Sequence, residues 1–381
     1  METVGIVCEY NPLHLGHKKQ FHIIRRELGE DTAIVCMMSG NFVQRGHPAI
    51  FHKSLRAKAA VLAGADLVLE MPVTTSLSSA EGFAAGCVSL LGSFCDKLCF
   101  GAEDADKEML MAVAAALLSN EFSNALRQFL DEGLSFPAAR QNALEQMGLT
   151  GDLLAKPNNI LAVEYCKAIL QQGHAMKPMP IFRGGDYHGT EIDPENPSAT
   201  ALRNKIVSGE AWLDYIPPQA RDSFANAAVH TLRAGQRAVL GRLRSMTEEE
   251  FSTVPFGSEG LWRKLMHAAR AENCLEAIAA AVKSKRYTRS RIDRMVLCAF
   301  LGITHADIDA PPPYARVLAL NEKGRHVLKS ARKTGFYPNI GEKTGAEYEM
   351  LEQRCDSLYG LFATDGIDPP EQKDRVYLYQ A

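Results

Sequence analysis

The feature that most constrains this chain is a rhythm in its first hundred residues, where short runs that are apolar throughout alternate with stretches of helical period. The runs are residues 3–8, 32–38, 66–69 and 97–100, with helical patterns opening near Gly16 and over 53–63. A strand that alternates apolar and polar residues keeps one face in water, whereas these runs require cover on both faces. Strands covered on both sides and joined by helices build a doubly wound, Rossmann-like α/β domain with a parallel sheet. Ligands in that architecture bind beyond the C-terminal ends of the strands. Each loop that follows a run is therefore a candidate site.

Further along, residues 105–172 read mainly as helix, residues 179–183 as a last strand, and 198–201 as the opening of another helix. These elements define an expected first domain over 1–210. Residues 211–381 read as a second, mostly helical domain, with helices expected over 218–243, 261–270, 274–283 and 290–301. Pro311-Pro312-Pro313 interrupts that pattern, and the tail beyond Pro338 has turn residues but no strong period. A chain of 381 residues is long enough for two hydrophobic cores. Its 46% hydrophobic and 23% charged content excludes a largely disordered chain. The first seven residues lack the basic and apolar pattern of a secretory signal, and no run approaches the ~18 apolar residues of a membrane span. A cytoplasmic protein without membrane attachment is expected. Nine cysteines without a C-x-x-C pair read as reduced, mostly buried thiols, with no metal centre expected.

The loop after the first run carries the most chemistry. It reads Glu9-Tyr10-Asn11-Pro12-Leu13-His14-Leu15-Gly16-His17-Lys18-Lys19-Gln20, with a helix starting near the glycine. A strand–loop–helix junction presents unpaired N–H groups and the positive end of a helix dipole to an anion. Gly16 permits close approach of a phosphate, and His14 and His17 can donate hydrogen bonds to its oxygens. Donors held in place stabilise the charge that develops when an α-phosphate is attacked and pyrophosphate departs, with no covalent intermediate. Two histidines near a helix start are elsewhere a mere polar surface. Here a second segment suits the same site: Ser198-Ala199-Thr200-Ala201-Leu202-Arg203 opens a helix with hydroxyl residues and follows them with an arginine able to bind phosphate bidentately. Taken alone, Ser198 and Thr200 are equally well read as simple caps.

H-x-G-H followed by a late S-x-T-x-x-R resembles the nucleotidyltransferase superfamily. The fuller strings resemble one family within it, the bacterial tRNA(Met) cytidine acetate ligases: Gly5 to His17, Ser39-Gly40-Asn41-Phe42-Val43-Gln44-Arg45-Gly46, Phe100 to Glu103, Pro157 to Leu161, Ser198 to Arg203, and Ser284 to Arg291. The resemblance implies two steps. Acetate attacks the α-phosphate of ATP to give acetyl-adenylate and pyrophosphate, and N4 of the wobble cytidine, position 34 of elongator tRNA(Met), then takes the acetyl group to give N4-acetylcytidine. By the same resemblance His14 and His17 are catalytic, and ATP touches Val7, Cys8, Glu9, Tyr10, Asn11, Pro12, Leu13, Leu15, Gly16, Lys18, Lys19, Gln20, Gly101, Arg183 and one of Asn158 and Asn159. The resemblance leaves open which asparagine it is. Leu13 stands where the family favours an aromatic residue and Leu15 where a polar one is common, which bears on local packing alone. Magnesium is expected with ATP, although no dedicated carboxylate cage is visible.

Other residues suit the same edge. Gln44 and Arg45 follow the second run and are placed to meet phosphates or a flipped base, and Gly40 and Gly46 read equally as turn residues. Gly101 suits a backbone position against an adenine or ribose. Arg183 ends the last expected strand ahead of Gly184-Gly185, where a surface arginine is an equal reading.

The net charge of −3 conceals a gradient, because residues 201–300 carry 16 Lys and Arg against 10 Asp and Glu. Lys283, Lys285, Arg286, Arg289, Arg291 and Arg294 lie within twelve residues, beside Tyr287. Cations on phosphates and a tyrosine stacked on an unpaired base are the chemistry of RNA binding, although most charge runs are solvated faces. Three functions compete: an acetate-activating tRNA ligase, a small-molecule adenylyltransferase acting on a metabolite, and a nucleotide-sensing RNA-binding module. The basic segment speaks against the second, and intact His14, His17 and Arg203 speak against the third. No stable protein partner is inferred.

Overall fold

The computed structural model describes residues 1–183, 197–312, 314–334, 346–366 and 376–379. Gly184-Gly185, Pro313, and the tail from Pro338 to Gly345 lie outside the described residues. The strands in chain order are β1 (Thr3–Cys8), β2 (Ala33–Ser39), β3 (Phe42–Val43), β4 (His47–Pro48), β5 (Leu67–Met71), β6 (Lys97–Ala102), β7 (Lys177–Phe182), β8 (Arg316–Leu320) and β9 (Tyr377–Leu378). Seven form one sheet in the order β7-β6-β1-β2-β5-β8-β9, and β3 and β4 pair separately. Within that sheet the five strands from the first half of the chain, β1, β2, β5, β6 and β7, are mutually parallel, as their two-sided apolar character requires.

Burial alternates along each strand. Ala33, Val35 and Met37 of β2 enter one core, whereas Ile34, Cys36 and Met38 enter the other. Helices α1 (Leu15–Leu28) and α2 (Lys53–Ala63) cover the second face through Phe21, Ile24, Ala57 and Val61. Helices α3 (Ala80–Leu91) and α4 (Pro157–Gln172) cover the first through Phe83, Val88, Val163 and Cys166. Fully burying each large apolar side chain contributes roughly 1.5–3 kcal/mol, which makes the sheet a rigid platform. The chain runs from β1 outward through β2 and β5, then returns to the other side of β1 with β6 and β7. The loops after β1 and β6 thus diverge, leaving the crevice in which doubly wound folds bind ligands. Helix α5 (Ala199–Ser208) closes against this part through Ile206.

The second half builds a third core. The helices of this half include α6 (Gln236–Ser245), α7 (Leu261–Ala271), α8 (Leu275–Val282), α9 (Arg289–Leu301), α10 (Glu322–Ala331), which returns Val327 and Ala331 to the core of α3 and α4, and α11 (Ala346–Tyr359). Leu243, Leu265, Ile278, Met295 and Leu351 meet at the centre of the third core. The helix expected over 218–243 is not continuous: a short 3₁₀ turn covers Pro218–Ser223 and the α-helix begins only at Gln236. Between them the amides of His230 and Thr231 donate to Ile50 and Phe362, so tertiary bonds replace the helical ones. Residues 211–381 also supply two strands that helical periodicity does not reveal. Strand β8 pairs antiparallel with β5, and β9 extends it.

A buried ion network ties this return to the sheet. Lys53 of α2, wholly buried, bonds Glu70 of β5 at 3.0 Å and Asp356 of α11 at 2.5 Å, and Arg316 of β8 bridges the same two carboxylates. Among the described residues, no single helix is long and apolar enough to cross a membrane.

Candidate adenylate site

The loop after β1 is fixed from several directions. Tyr10 adopts the left-handed region at φ 45°, and its buried hydroxyl meets Cys36 Sγ at 3.2 Å. The Asn11–Pro12 peptide is cis, and Asn11 Oδ1 accepts the Ile50 amide at 2.7 Å. Leu13 is wholly buried, so the aliphatic residue at this position belongs to the core. His14 then caps α1, which places Leu15, Gly16 and His17 in its first turn with their N–H groups at the sheet edge.

The two imidazoles stack with centroids 3.7 Å apart, and the backbone N–H of His14 donates to His17 Nδ1 at 3.2 Å. That bond makes Nδ1 the acceptor nitrogen of His17 and assigns the ring proton to Nε2. His14 is 1% exposed, yet neither of its ring nitrogens has a hydrogen-bond partner among the described residues. Burial, followed by the charges of Arg183 and Arg203, pushes its pKa down to about 3. Burial, then His14 and Arg183, also holds His17 well below the usual imidazole value. Both rings are therefore neutral near pH 7 and each carries one N–H, so they can donate to an oxyanion without changing protonation state.

The opposite wall comes from distant sequence. Arg203 of α5 donates from one terminal nitrogen to the Asn11 carbonyl at 2.8 Å and from the other to Thr200 Oγ1 at 2.9 Å. Ser198 stands at the N-cap of the same helix. The S-x-T-x-x-R segment thus bonds directly to the loop containing H-x-G-H. Arg183 follows β7 with its amide on the Ala102 carbonyl at 2.8 Å. A Cβ on Gly101 would stand 2.9 Å from Arg183 Cδ, so this glycine makes room for the arginine to cross β6.

The Asn158-Asn159 pair opens α4 opposite the end of β6. Asn159 is wholly buried and doubly committed, donating to Asp104 Oδ2 at 2.7 Å and accepting the Asp104 amide at 3.0 Å. Asn158 donates to Glu103 Oε1 at 2.7 Å and is only half-buried. The two asparagines thus fix the turn after β6, and Asn158 is the more accessible. Around α1, Lys18 reaches Gln219 at 3.3 Å, Lys19 faces solvent, and Gln20 meets Cys99 Sγ at 3.5 Å. At the end of β1, the Cys8 thiol points to the Met37 carbonyl, and Glu9 Oε1 accepts the Gln44 amide at 3.1 Å. Val7 packs against the core on the α3 and α4 face.

One residue that shapes the site has no signal in the sequence. Arg56, wholly buried in α2, donates to the carbonyls of Phe51 at 2.9 Å, Glu9 at 2.5 Å and Ser39 at 3.1 Å, and also to that of Gly40. Its rigid fork clamps the loops after β1 and β2 in one geometry. An arginine within a helical pattern reads as a solvated residue, and only tertiary structure shows which way it points. Among the described residues, no group of three or more His, Cys, Asp and Glu side chains is placed to hold a metal ion.

The basic segment divides into two sets. Arg289 grips Glu276 with both terminal nitrogens, at 2.6 and 2.7 Å, and Asp293 with Nε. Arg291 donates twice to the Phe256 carbonyl, and Arg294, 8% exposed, reaches the Gln44 carbonyl at 3.3 Å. Arg289 and Arg291 are structural cations, whereas Arg294 keeps an Nε with no acceptor among the described residues. Lys283 and Lys285 face solvent, while Arg286 pairs with Glu259 at the surface, where such a pair is worth at most about 1 kcal/mol. The loop after β2 docks here as well: Gly46, at φ +80°, lies so close to α9 that a Cβ would stand 2.5 Å from the Arg294 amide nitrogen. The basic helix and the phosphate loops therefore share a boundary.

The family model described as HIGH Nucleotidyl Transferase matches residues 1–374. The chain is 35% identical over 374 residues to the tRNA(Met) cytidine acetate ligase of Clostridium acetobutylicum, covering 92% of each chain. It is 32% identical over 392 residues to the like-named protein of a Geobacillus species, covering 99% of this chain and 97% of that one. It also resembles the apo crystal structure of Thermotoga maritima TmcAL, with a TM-score of 0.86 and 29% identity over 96% of both chains. The form of that protein bound with alpha-thio ATP matches at TM-score 0.84 and 29% identity, over 96% of this chain and 95% of that one.

Proposed function

The chain belongs to the HIGH nucleotidyl transferases and, within them, to the tRNA(Met) cytidine acetate ligases, and from that membership we propose how its own residues carry the reaction. It is an ATP-dependent ligase that joins acetate to N4 of the wobble cytidine of elongator tRNA(Met). In the first step an acetate oxygen attacks the α-phosphate of ATP, the bond to the β-phosphate breaks, and pyrophosphate leaves. In the second, N4 of the cytidine attacks the acetyl carbon, AMP departs, and the amine gives up a proton.

The observation that carries this reading is the bond from Arg203 to the Asn11 carbonyl, which joins two segments 192 residues apart into one cationic crevice around His14 and His17. In that crevice the neutral imidazoles donate to the α-phosphate oxygens, the N-terminus of α1 faces the phosphates, and Arg183 and Arg203 meet the charge on the leaving pyrophosphate. Asn158, with Gly101, lies toward the nucleoside end. Magnesium enters as the ATP complex, held by phosphate oxygens in place of a protein cage. Residues 211–381 provide the tRNA surface, led by Lys283, Lys285 and Arg286, and the reaction takes place in the cytoplasm, where ATP and tRNA meet. The alternative of a metabolite adenylyltransferase gives no account of similarity to tRNA ligases along the whole chain.

The test is to incubate purified protein with ATP, labelled acetate and tRNA(Met) and to locate the label. Acetyl on a cytidine at position 34 supports the ligase. Pyrophosphate released with a metabolite but never with acetate favours the alternative.

A further inference from the structure

A cavity of about 750 Å³ lies between the loop over residues 254–260, helices α7 and α9, and the cap of α3. Its lining combines aromatic and cationic groups, Phe256 and Trp262 with Arg286, Arg291 and Arg294, beside the single carboxylate of Asp309. An anion with an attached aromatic ring suits this excess of cations over carboxylates, because guanidinium groups bind phosphate bidentately and aromatic side chains stack on an unpaired base.

The cavity is also built to last. Phe256 and Glu259 both adopt left-handed backbone conformations, at φ 64° and 59°, which residues with side chains rarely hold. Arg291 fixes the first by gripping the Phe256 carbonyl at 2.6 and 2.9 Å and Ser258 Oγ at 3.0 Å. Arg286 and Tyr287 fix the second through the Glu259 carboxylate, at 2.6 and 2.9 Å. Arg294 projects from α9 beneath them, its guanidinium 5.1 Å from the Phe256 ring centroid. It is 8% exposed and its Nε has no acceptor among the described residues, a buried donor that lacks a partner at the cavity wall.

The adenylate crevice is one loop away. Gln44 receives Arg294 on its carbonyl, gives its own amide to Glu9 of the loop after β1, and directs its side-chain amide to the Ser78 carbonyl, next to the lining residue Ser79. A base held at the adenylate and a group held in the cavity would stand on opposite sides of residues 39–46. We propose that this cavity is a nucleotide subsite of the tRNA interface, receiving an unpaired nucleotide next to the acetylated cytidine. Trp262 and Phe256 contact its base, and Arg294 its phosphate, through the Nε that has no acceptor among the described residues. This inference rests on the tRNA ligase reading and adds the place where the neighbouring nucleotide is held.

The chain has two tryptophans, and the other, Trp212, stacks on Phe51 at 5.4 Å in the core of the sheet's α1 and α2 face. In a Trp212→Phe protein, Trp262 is the sole tryptophan reporter. Titration with tRNA(Met) is expected to quench its fluorescence, whereas ATP alone leaves the signal in place. Unaltered fluorescence at saturating tRNA, with binding followed independently by filter retention, overturns the proposal, as does equal quenching by ATP. The full-length Trp262→Ala and Trp262→Phe variants supply the second readout. Acetate-dependent exchange of pyrophosphate into ATP reports the first half-reaction, and transfer of acetyl to tRNA reports the whole. Trp262→Ala is expected to raise the KM for tRNA at least tenfold relative to its effect on exchange, with Trp262→Phe recovering most of that loss. A parallel fall in both activities, or no change in KM for tRNA, refutes the subsite. Absence of acetate-dependent exchange in the unaltered protein instead refutes the ligase reading, so the two failures are distinct.

Discussion

The phosphate crevice and the basic segment are the two charged regions of this molecule, and they handle charge in opposite ways. Around His14 two imidazoles lie at the sheet edge near Arg183 and Arg203, and neither ring nitrogen of His14 is bonded among the described residues. Along 283–294 the protein supplies partners, with Glu276, Asp293 and the carbonyls of Phe256 and Gln44 taking up three of the six cations. An unbonded buried donor carries its desolvation cost until a ligand arrives, whereas a cation whose donors are held by carbonyls and carboxylates of its own chain serves the fold. The count of charges along a sequence therefore says less than the count of acceptors folded against them.

The strongest way to break this contrast is to remove a donor from the crevice. His17→Ala is expected to lower acetate-dependent pyrophosphate release by about 10²–10³-fold, the loss typical of an oxyanion donor, with little change in melting temperature. Normal release would end the phosphate role of the motif. Next comes the solvent-facing set. Replacing Lys283, Lys285 and Arg286 together with alanine is expected to weaken tRNA binding by about tenfold or more and to flatten its salt dependence by about one unit of slope for each cation that contacts phosphate. Binding of ATP should persist. Unchanged tRNA affinity and slope would show that this segment is only a solvated face.

The internal set gives a smaller effect of another kind. Arg291→Ala strands the Phe256 carbonyl and frees a loop with two left-handed residues, so a loss of stability of about 1–3 kcal/mol is expected in denaturant unfolding. Arg286→Ala, which breaks only an exposed pair, should stay within about 0.5 kcal/mol of the parent. Equal losses for the two would erase the distinction between structural and ligand-facing cations.

These differences also mark what a sequence can disclose. The crevice is legible because strand, loop and helix are contiguous from Thr3 to Leu28 and the function of H-x-G-H depends on that junction. Arg203 is legible as part of a pattern, although its bond to Asn11 is not. Arg56 and the network of Lys53, Glu70, Arg316 and Asp356 are silent because their partners lie on other elements, and charged residues in helical patterns look like solvated ones. Strands β8 and β9 are five and two residues long, too short for a period to register, and the break before Gln236 depends on acceptors at Ile50 and Phe362. Local physics was readable, whereas contacts between distant segments were not.

The finest test of the contrast is a pH profile, in which the expected effect is close to nil. An imidazole in water titrates near its ordinary value of 6.5, so a pair of exposed histidines acting as neutral donors would lose activity as pH falls through that value. Here burial and the neighbouring arginines hold His14 at about 3 and His17 well below 6.5. A folded-state pKa below the unfolded one means that both rings remain neutral on acidification from pH 8 to pH 5, and the donors to phosphate persist across that window. The value of kcat/KM for ATP in the exchange reaction, measured at saturating acetate and magnesium, is then expected to show no imidazole limb between pH 5.5 and 7.5. Arg203→Gln removes a cationic neighbour of His14 while leaving an amide able to reach the Asn11 carbonyl, and because burial is the largest cause of the shift, its profile should stay free of an imidazole limb in the same window. A limb in the parent enzyme that is identical in Arg203→Gln would show that the histidines meet water freely and that the crevice does not hold them neutral.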